Sequence, residues 1–435
     1  MAIPIVPILF GAEALGLLVS LAAIARFSYR QHCSIASAPR LIHYHHSQQS
    51  TDKETLLASD PSPSTLHAPT SLSVIIPAYN EELNLQDCVK SVLASQLPPH
   101  LALEVWIADD ESTDGTAAIV AELVALDSRV HGFTVPPRPN HNWRGKTWAC
   151  TQAAERAIGD YLLFIDADVR LHPAAIAVAL DHAQRHQADL LSCAPEIVCG
   201  CLAEWLVQPL IMGLLAVGFQ FDALNDPTNP TAFAAGPFML FRRAPYQHIG
   251  GHRAVAHEVV EDVELARRVK AAGLRLRYVL GLGLVQVRMY RSFAALWEGW
   301  TKNLYLGAQR NVAAMGLIAI AMVLLYVLPW WSLLTSLAIV FYAITFYPVV
   351  ASPILPEFSL PWASALLLLL TLVTLGSQYW LRRRSAHLFQ QPLRYWWLSW
   401  LGGSIVAAMA IVSIVKTETG WGWTWRGRSL AVKQP

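Results

Sequence analysis

Residues 160–168 read DYLLFIDAD. Tyr161 to Ile165 form an unbroken apolar run, the pattern of a strand buried on both faces of a sheet. Two aspartates one residue apart, Asp166 and Asp168, follow it. Carboxylates at the end of a buried strand are costly unless a cation or ligand compensates them. The pattern recurs on either side. SLSVIIPAY (71–79) and LEVWIADD (103–110) read as strands, and NLQDCVKSVLAS (84–95), TAAIVAELVALD (116–127) and TWACTQAAERAI (147–158) as helices. The order β-α-β-α-α-β predicts an α/β fold, a mostly parallel sheet flanked by helices. In open sheets of this kind ligands bind outside the carboxyl ends of the strands. All three strands end in polar residues, so the three ends are expected to meet at one site. Pro77 lacks a backbone donor, and pairing of the first strand is expected to stop there.

Composition places part of the chain in a bilayer. Of 435 residues, 54% are hydrophobic and 14% charged, against about 25% charged in a soluble domain. The net charge of +1, with no basic tract and no acidic tail, argues against a nucleic-acid partner. Six scattered cysteines suit reduced thiols, and Cys193, Cys199 and Cys201 match no standard zinc spacing. Residues 3–27 have the length and apolarity of one membrane helix. Arg26, Arg30 and Arg40 follow, which sends the chain into the cytoplasm by the positive-inside rule. Residues 28–70 read as a flexible linker, and its HYHHS (43–47) as incidental. A globular domain is expected over 71–300. No residue from Asn311 to Pro356 is charged. As one helix this run would be roughly double the length a bilayer core needs, so two spans are expected, with a turn near Pro329, Trp330 and Trp331. Apolar runs at 358–381 and 395–415 bring the C-terminal spans to about four, before a basic tail at 416–435. That count puts Arg382, Arg383 and Arg384 outside, against the same rule. WLVQPLIMGLLAVGFQF (205–221) is expected to lie in the membrane interface.

Several stretches carry chemistry. The D-x-D pair offers hard oxygen ligands suited to Mg²⁺ or Mn²⁺ bridging a diphosphate. IADDESTDGT (107–116) brings Asp109 and Asp110 to a second strand end. IIPAYNEE (75–82) brings Tyr79, Asn80 and Glu81 to the first, where they can hydrogen-bond a base or ribose. WRGKTWA (143–149) precedes a helix, with Arg144 and Lys146 flanking a glycine that lets the backbone approach a phosphate. IGGHRAVAHEVVEDVELARRVKAAG (249–273) places Glu261 and Asp262 in a helical first turn, where acids either answer the helix dipole or serve as a general base.

Taken in order, IIPAYNEE, ADDESTDGT, RGKTWA, DAD, GPFMLFRR and VVEDVELA resemble the family-2 glycosyltransferases with the GT-A fold, from about Ser71 to Asn311. GGHRAV, RMY and GWTKN resemble a membrane subgroup that includes carotenoid and hopanoid-associated glycosyltransferases and, further off, ceramide glucosyltransferases. The resemblance implies roles residue by residue. Pro77, Ala78, Tyr79, Glu81 and Asp109 or Asp110 would hold the nucleotide, and Lys146 would touch the diphosphate. Asp166 and Asp168 would form the metal motif, with Asp168 the more direct ligand, and Asp262 would be the base beside Glu261. Arg288 and Arg291 lie where relatives carry Q/R-x-x-R-W, but here RMYRS puts Ser292 in place of the tryptophan. The implied activity is inverting, metal-dependent transfer from a nucleotide sugar, a UDP-sugar being favoured, to a lipophilic acceptor of carotenoid or other isoprenoid type. Hopanoid or sphingolipid glycosylation, polysaccharide synthesis and an inactive scaffold are the alternatives. The absence of charge in the C-terminal spans argues against a transporter.

Overall fold

A computed structural model describes residues 5–42, 70–139, 142–345, 360–422, 424–425 and 428–429. The HYHHS patch, most of the linker, the last eleven residues of the 311–356 run and most of the basic tail lie outside the described residues. The chain divides into two compact units, one of Ser37–Val198 and Phe219–Met289, the other of Met1–Ala36, Cys199–Gly218 and Tyr290–Lys433.

In chain order, α1 (Ile5–Ala36) precedes β1 (Ser71–Ala78), α2 (Leu85–Leu93), β2 (Ala102–Asp109), α3 (Thr116–Leu126), β3 (Val130–Thr134), α4 (Gly145–Arg156), β4 (Tyr161–Phe164) and β5 (Val169–Leu171). Then come α5 (Ala175–Arg185), β6 (Leu190–Ala194), β7 (Glu196–Ile197), α6 (Leu202–Gly218), α7 (Phe221–Asn225), β8 (Met239–Arg242), α8 (Arg243–His248), α9 (Glu261–Ala271), β9 (Leu276–Leu280) and β10 (Val285–Val287). The C-terminal helices are α10 (Phe293–Gly307), α11 (Val312–Met322), α12 (Leu328–Thr345), α13 (Leu360–Leu388) and α14 (Ser399–Thr419).

The first unit is built on a seven-stranded sheet in the order β3-β2-β1-β4-β8-β6-β9. Every pairing is parallel except those of β8, which runs antiparallel to both β4 and β6. This is the expected mostly parallel sheet with flanking helices. β1, β4 and β6 are almost wholly buried, as strands covered on both faces must be. The chain leaves β1 toward β2 and β3, then returns to β4 on the other side. The point where it reverses lies between β1 and β4, the place where open sheets form a ligand crevice.

Three details differ from expectation. The β3 edge strand, VHGFT, falls where no strand was expected, because it is short and carries Gly132 in its middle. The glycine is needed, since a methyl there would run into Val120 and Val124 of α3. Second, β1 does not stop at Pro77 on both sides. It stays paired with β2 through Ala78, opposite Asp109. Toward β4 the last rung is Ile165 N–H to the Ile75 carbonyl, at 3.1 Å. The next rung on that side would need an N–H at position 77, and proline has none. Third, α1 continues nine residues past Phe27 to Ala36. Beyond it, Leu41 donates to the Leu280 carbonyl at 2.9 Å, and Leu280 donates to the Pro39 carbonyl at 2.8 Å. The start of the expected linker is thus tied to the edge strand β9.

The second unit is helical. Among the described residues, four helical stretches are long and apolar enough to cross a membrane: Phe10–Ala36, Val312–Phe341, Trp362–Leu388 and Trp396–Thr419. The turn expected near Pro329 is absent. α11 passes through a π turn, Val323–Val327, directly into α12. Proline sits just after the π turn, where the i→i−4 ladder is already interrupted and its missing donor is accommodated. Three carbonyls of this turn accept side-chain donors from other helices, as apolar surroundings favour. Ser20 Oγ donates to the Leu324 carbonyl. Gln378 Nε2 donates to Leu325 and Tyr326 at 2.7 and 3.3 Å. Trp330 Nε1 donates to Gln378 Oε1 at 2.8 Å. The segment expected in the membrane interface is α6, which spans Pro209 and packs among α1, α10, α13 and α14 of this same unit.

Candidate functional site

The loops after β1 and β2 are laced together. Asn80, in a left-handed conformation at φ 54°, donates its backbone N–H to Ser112 Oγ at 2.9 Å. Its side-chain oxygen accepts from Thr113 N–H at 2.8 Å. Glu81 N–H donates to Thr116 Oγ1 at 2.8 Å, and Gly115 N–H donates to Glu82 Oε2 at 2.8 Å. One Glu81 oxygen accepts from Asn84 Nδ2 at 2.9 Å, at the start of α2. Glu81 therefore helps to shape the loop, besides facing the strand ends. Asp109 and Asp110 are both buried, and Asp109 Oδ1 accepts from Ser112 N–H at 3.1 Å. Pro77 and Tyr79 are half-buried and Ala78 is buried. This rim was legible as a set of strand ends. The cross-bonding by Asn80, Ser112 and Thr113 was not, because it joins residues more than thirty positions apart.

Asp166 and Asp168 lie in the turn between β4 and β5. Val169 N–H closes the turn onto the Asp166 carbonyl at 3.1 Å. Arg170 clamps it by donating to the Val169 carbonyl at 2.8 Å while pairing with Asp87 at 3.3 Å. β5 is held in turn by β10 of the small sheet β5-β10-β7. Arg288 follows β10, and its backbone N–H lies 3.5 Å from the Asp168 carbonyl. Arg291 belongs to the helical unit.

Lys146 is the hub. It stands in the first turn of α4, with its ammonium 2.6 Å from Asp166 Oδ1 and 2.8 Å from Glu261 Oε1. Asp262 is the third carboxylate acting on it. Burial works against the lysine's charge, but the three acids outweigh it and hold its pKa well above the ordinary range. Arg144 plays another part, donating to the His257 carbonyl at 3.1 Å. Thr147 Oγ1 donates to Ala256 at 2.8 Å, so the RGKT loop is moored to the segment that leads into α9.

Glu261 and Asp262 open α9 and face different partners. Glu261 is buried against Lys146. Asp262 Oδ2 accepts from Gly236 N–H at 2.8 Å, and its Oδ1 accepts from Val263 N–H at 2.8 Å. Its pKa is pushed up to about 6, first by burial and then by the neighbouring Glu261 charge, against the pull of Lys146 and the two N–H donors. Gly236 is required at this spot. A methyl there would lie 3.1 Å from Asp262 Oδ2 and 3.2 Å from Lys146 Nζ. Behind the hub lies a residue given no role by the sequence reading, His252. It is buried, with Nδ1 2.9 Å from the Tyr246 hydroxyl and its ring 4.5 Å from that of Phe164. Burial, with the Lys146 charge, pushes its pKa down to about 3 and keeps it neutral.

The donor set fits a divalent cation. One ammonium faces three carboxylates, leaving excess negative charge, and the side chain of Asp166 is 29% exposed. Among the described residues no three His, Cys, Asp or Glu side chains form a closed metal cage. Mg²⁺ and Mn²⁺ shared with a diphosphate need no such cage, only one or two carboxylates with water and phosphate oxygens.

Residues 73–250 match the family model described as Glycosyl transferase family 2. The 4,4'-diaponeurosporenoate glycosyltransferase of Staphylococcus haemolyticus is 32% identical over 241 residues, which is 55% of this chain and 62% of that protein. The enzyme of the same name from Staphylococcus aureus strain MRSA252 is 31% identical over 246 residues, with the same coverage. The chain thus matches somewhat under two thirds of the length of these relatives. Among solved structures, the mannosyltransferase PcManGT of Pyrobaculum calidifontis, in complex with GDP-Man and Mn²⁺, is 16% identical, covers 94% of this chain and 99% of its own, and has a TM-score of 0.48. The strand order from β1 to β8 and the D-x-D turn lie within or at the edge of the stretch that resembles the Glycosyl transferase family 2 model, and Glu261 and Asp262 follow just after it.

Proposed function

We propose that this protein transfers a sugar from a nucleotide-sugar donor to the hydroxyl of a membrane-embedded isoprenoid, of carotenoid type, with inversion at the anomeric carbon. A UDP-sugar is the favoured donor. The observation that carries the reading is the hub itself. A lysine is bound to the D-x-D turn and to α9, with a carboxylate of raised pKa beside it, at the crevice end of the sheet. Tyr79, Glu81 and the Asp109–Asp110 pair receive the nucleotide. Lys146 exchanges its hold on Asp166 for the diphosphate and offsets its charge. Asp262 accepts the acceptor hydroxyl's proton as that oxygen bonds to the anomeric carbon and the bond to the diphosphate breaks. Asp166 and Asp168 would hold Mg²⁺ or Mn²⁺, a Lewis acid toward the departing diphosphate. Arg288 and Arg291 are further candidates for phosphate contact.

The apolar helices carried by the same chain support a lipophilic acceptor, with the α/β unit in the cytoplasm and α6 at the membrane interface. The name shared by the relatives denotes an acid as their acceptor. An acceptor carboxylate would need no base, whereas a hydroxyl does, and the poised Asp262 favours the hydroxyl here. The test is incubation of membranes containing the protein with labelled UDP-, GDP- and dTDP-sugars and a lipid extract. Label entering the lipid phase, and lost with EDTA and in Asp262→Asn, is the expected result. No label from any donor would overturn the proposal. Full activity of Asp262→Asn would point to an acidic acceptor.

A further inference from the structure

α1 and α13 run side by side in the same direction, since Phe10 and Leu17 cluster with Leu367 at one end and Gln31 meets Ser385 at the other. Near that second end the two helices face each other with donors. Ser385 Oγ donates to Gln31 Oε1 at 2.9 Å, which turns the amide so that Nε2 is offered elsewhere. Gln31 Nε2 and Ser28 Oγ are buried and have no hydrogen-bond partner among the described residues. Ser28 stands one helical turn before Gln31, and Arg382 one turn before Ser385, so the parallel register sets them at one level. Arg382 is 4% exposed. The ionisable groups acting on it are the Tyr326 phenol and the Cys199 thiol. No carboxylate among the described residues pairs with it, and the sequence holds no acid at all from Phe358 to Thr417. A guanidinium buried among apolar helices without a counter-charge is expensive. Gln31 Nε2 and the Arg382 guanidinium can only donate, and the Ser28 hydroxyl can donate as well as accept, so an anion would answer all three.

The level of this cluster names the anion's source. Along α13, Leu366, Leu369, Leu372 and Val373 are exposed apolar side chains. Trp380 and Arg383 then follow on the exposed surface, with the Arg384 guanidinium 5.1 Å above the Trp380 ring. Apolar, then aromatic, then cationic is the order met on passing from hydrocarbon to headgroups. We propose that Arg382, Ser28 and Gln31, with Ser385 orienting the amide, form a site for the phosphate of an anionic phospholipid headgroup. This site is separate from the transferase hub and does not depend on the proposed activity.

The test uses the full chain purified in mild detergent and equilibrated with phosphatidylglycerol or phosphatidylcholine, with bound lipid counted by native mass spectrometry. Wild type is expected to retain phosphatidylglycerol with about tenfold preference, the scale of one or two hydrogen bonds to a charged group. Arg382→Gln should abolish the preference, and Arg383→Gln, one position away on the exposed face, should keep it. Gln31→Leu leaves the arginine in place and should reduce the preference severalfold, which covers the case in which Arg382→Gln fails to fold. Equal retention of both lipids by wild type, or unchanged preference in Gln31→Leu and Arg382→Gln, would overturn the proposal. Excess inorganic phosphate separates the two sources. Failure to displace the lipid supports the headgroup, and displacement would replace the lipid with free phosphate as the occupant.

Discussion

Asp262→Asn separates the chemistry of the hub from its electrostatic cost. With a pKa of about 6, the carboxylate is about nine-tenths ionised at pH 7 and about one-tenth at pH 5. Wild-type kcat/KM should therefore fall roughly tenfold between those values, on a limb that belongs to the coupled Glu261–Asp262–Lys146 cluster as a whole. The amide keeps an oxygen for Gly236 N–H but accepts no proton. Turnover should drop by about 10² to 10⁴, the usual worth of a general base, and the remaining activity should lose the limb near pH 6. Stability should move the other way. A carboxyl whose folded pKa is raised contributes stability that is full below its unfolded pKa and lost as pH rises through the folded one. The rise from 3.8 to about 6 sets an upper bound of about 3 kcal/mol. Partial exposure and the lost helix-dipole contact, about 0.3–1 kcal/mol, reduce the gain from the amide to about 1–2 kcal/mol at pH 8. No gain is expected at pH 4. Initial rates against pH and thermal unfolding at the two pH values measure both. A variant that keeps more than a tenth of the activity, or keeps the limb near pH 6, would refute Asp262 as the base. A variant less stable than wild type at pH 8 would refute the electrostatic account.

Other perturbations follow from the same geometry. Lys146→Met removes a charge that lowers the Asp262 pKa, so the acid limb should move up by about one pH unit. The half-exposed position of this lysine limits the stability loss to about 1–2 kcal/mol, and a limb that stays put would remove Lys146 from the hub. Gly236→Ala should cut turnover about tenfold or more by displacing the Asp262 carboxylate and the Lys146 ammonium, with a melting temperature within a few degrees of wild type; undiminished turnover would show that neither group needs its present place. Gln378→Leu leaves the Leu325 and Tyr326 carbonyls of the π turn without their donor and should cost about 1–3 kcal/mol in detergent unfolding.

The parts of this molecule legible in sequence were those in which one residue type answers one physical demand. The runs at 71–79, 103–110 and 160–168 read as covered strands because they are short, largely apolar, rich in β-branched and aromatic residues, and end in polar turn residues. The acids after them had to meet, because parallel strands share an end. What stayed hidden depended on partners distant in sequence. The continuity of the helix through Pro329 rests on Ser20 and Gln378, which supply donors from other helices. The division of labour between Glu261 and Asp262 rests on Lys146 and Gly236, neither of which is marked by the spacing of the two acids. Arg144 and Lys146 looked alike in WRGKTWA, yet one moors a loop and the other gathers three carboxylates. β3 escaped because a five-residue edge strand with a central glycine has too little pattern to separate it from a loop.

A crevice between two diverging parallel strands carries a hazard of its own. Past Ile75 the edge of β1 toward β4 is a half-finished zipper, and any extended segment that reached it would add rungs and seal the cleft. Pro77 removes the tooth at which such closure would start. Because the β2 side stays fully paired, β1 keeps its straightness and Ala78 stays opposite Asp109. One missing hydrogen atom thus ends the ladder between β1 and β4 a rung early while the ladder to β2 runs on.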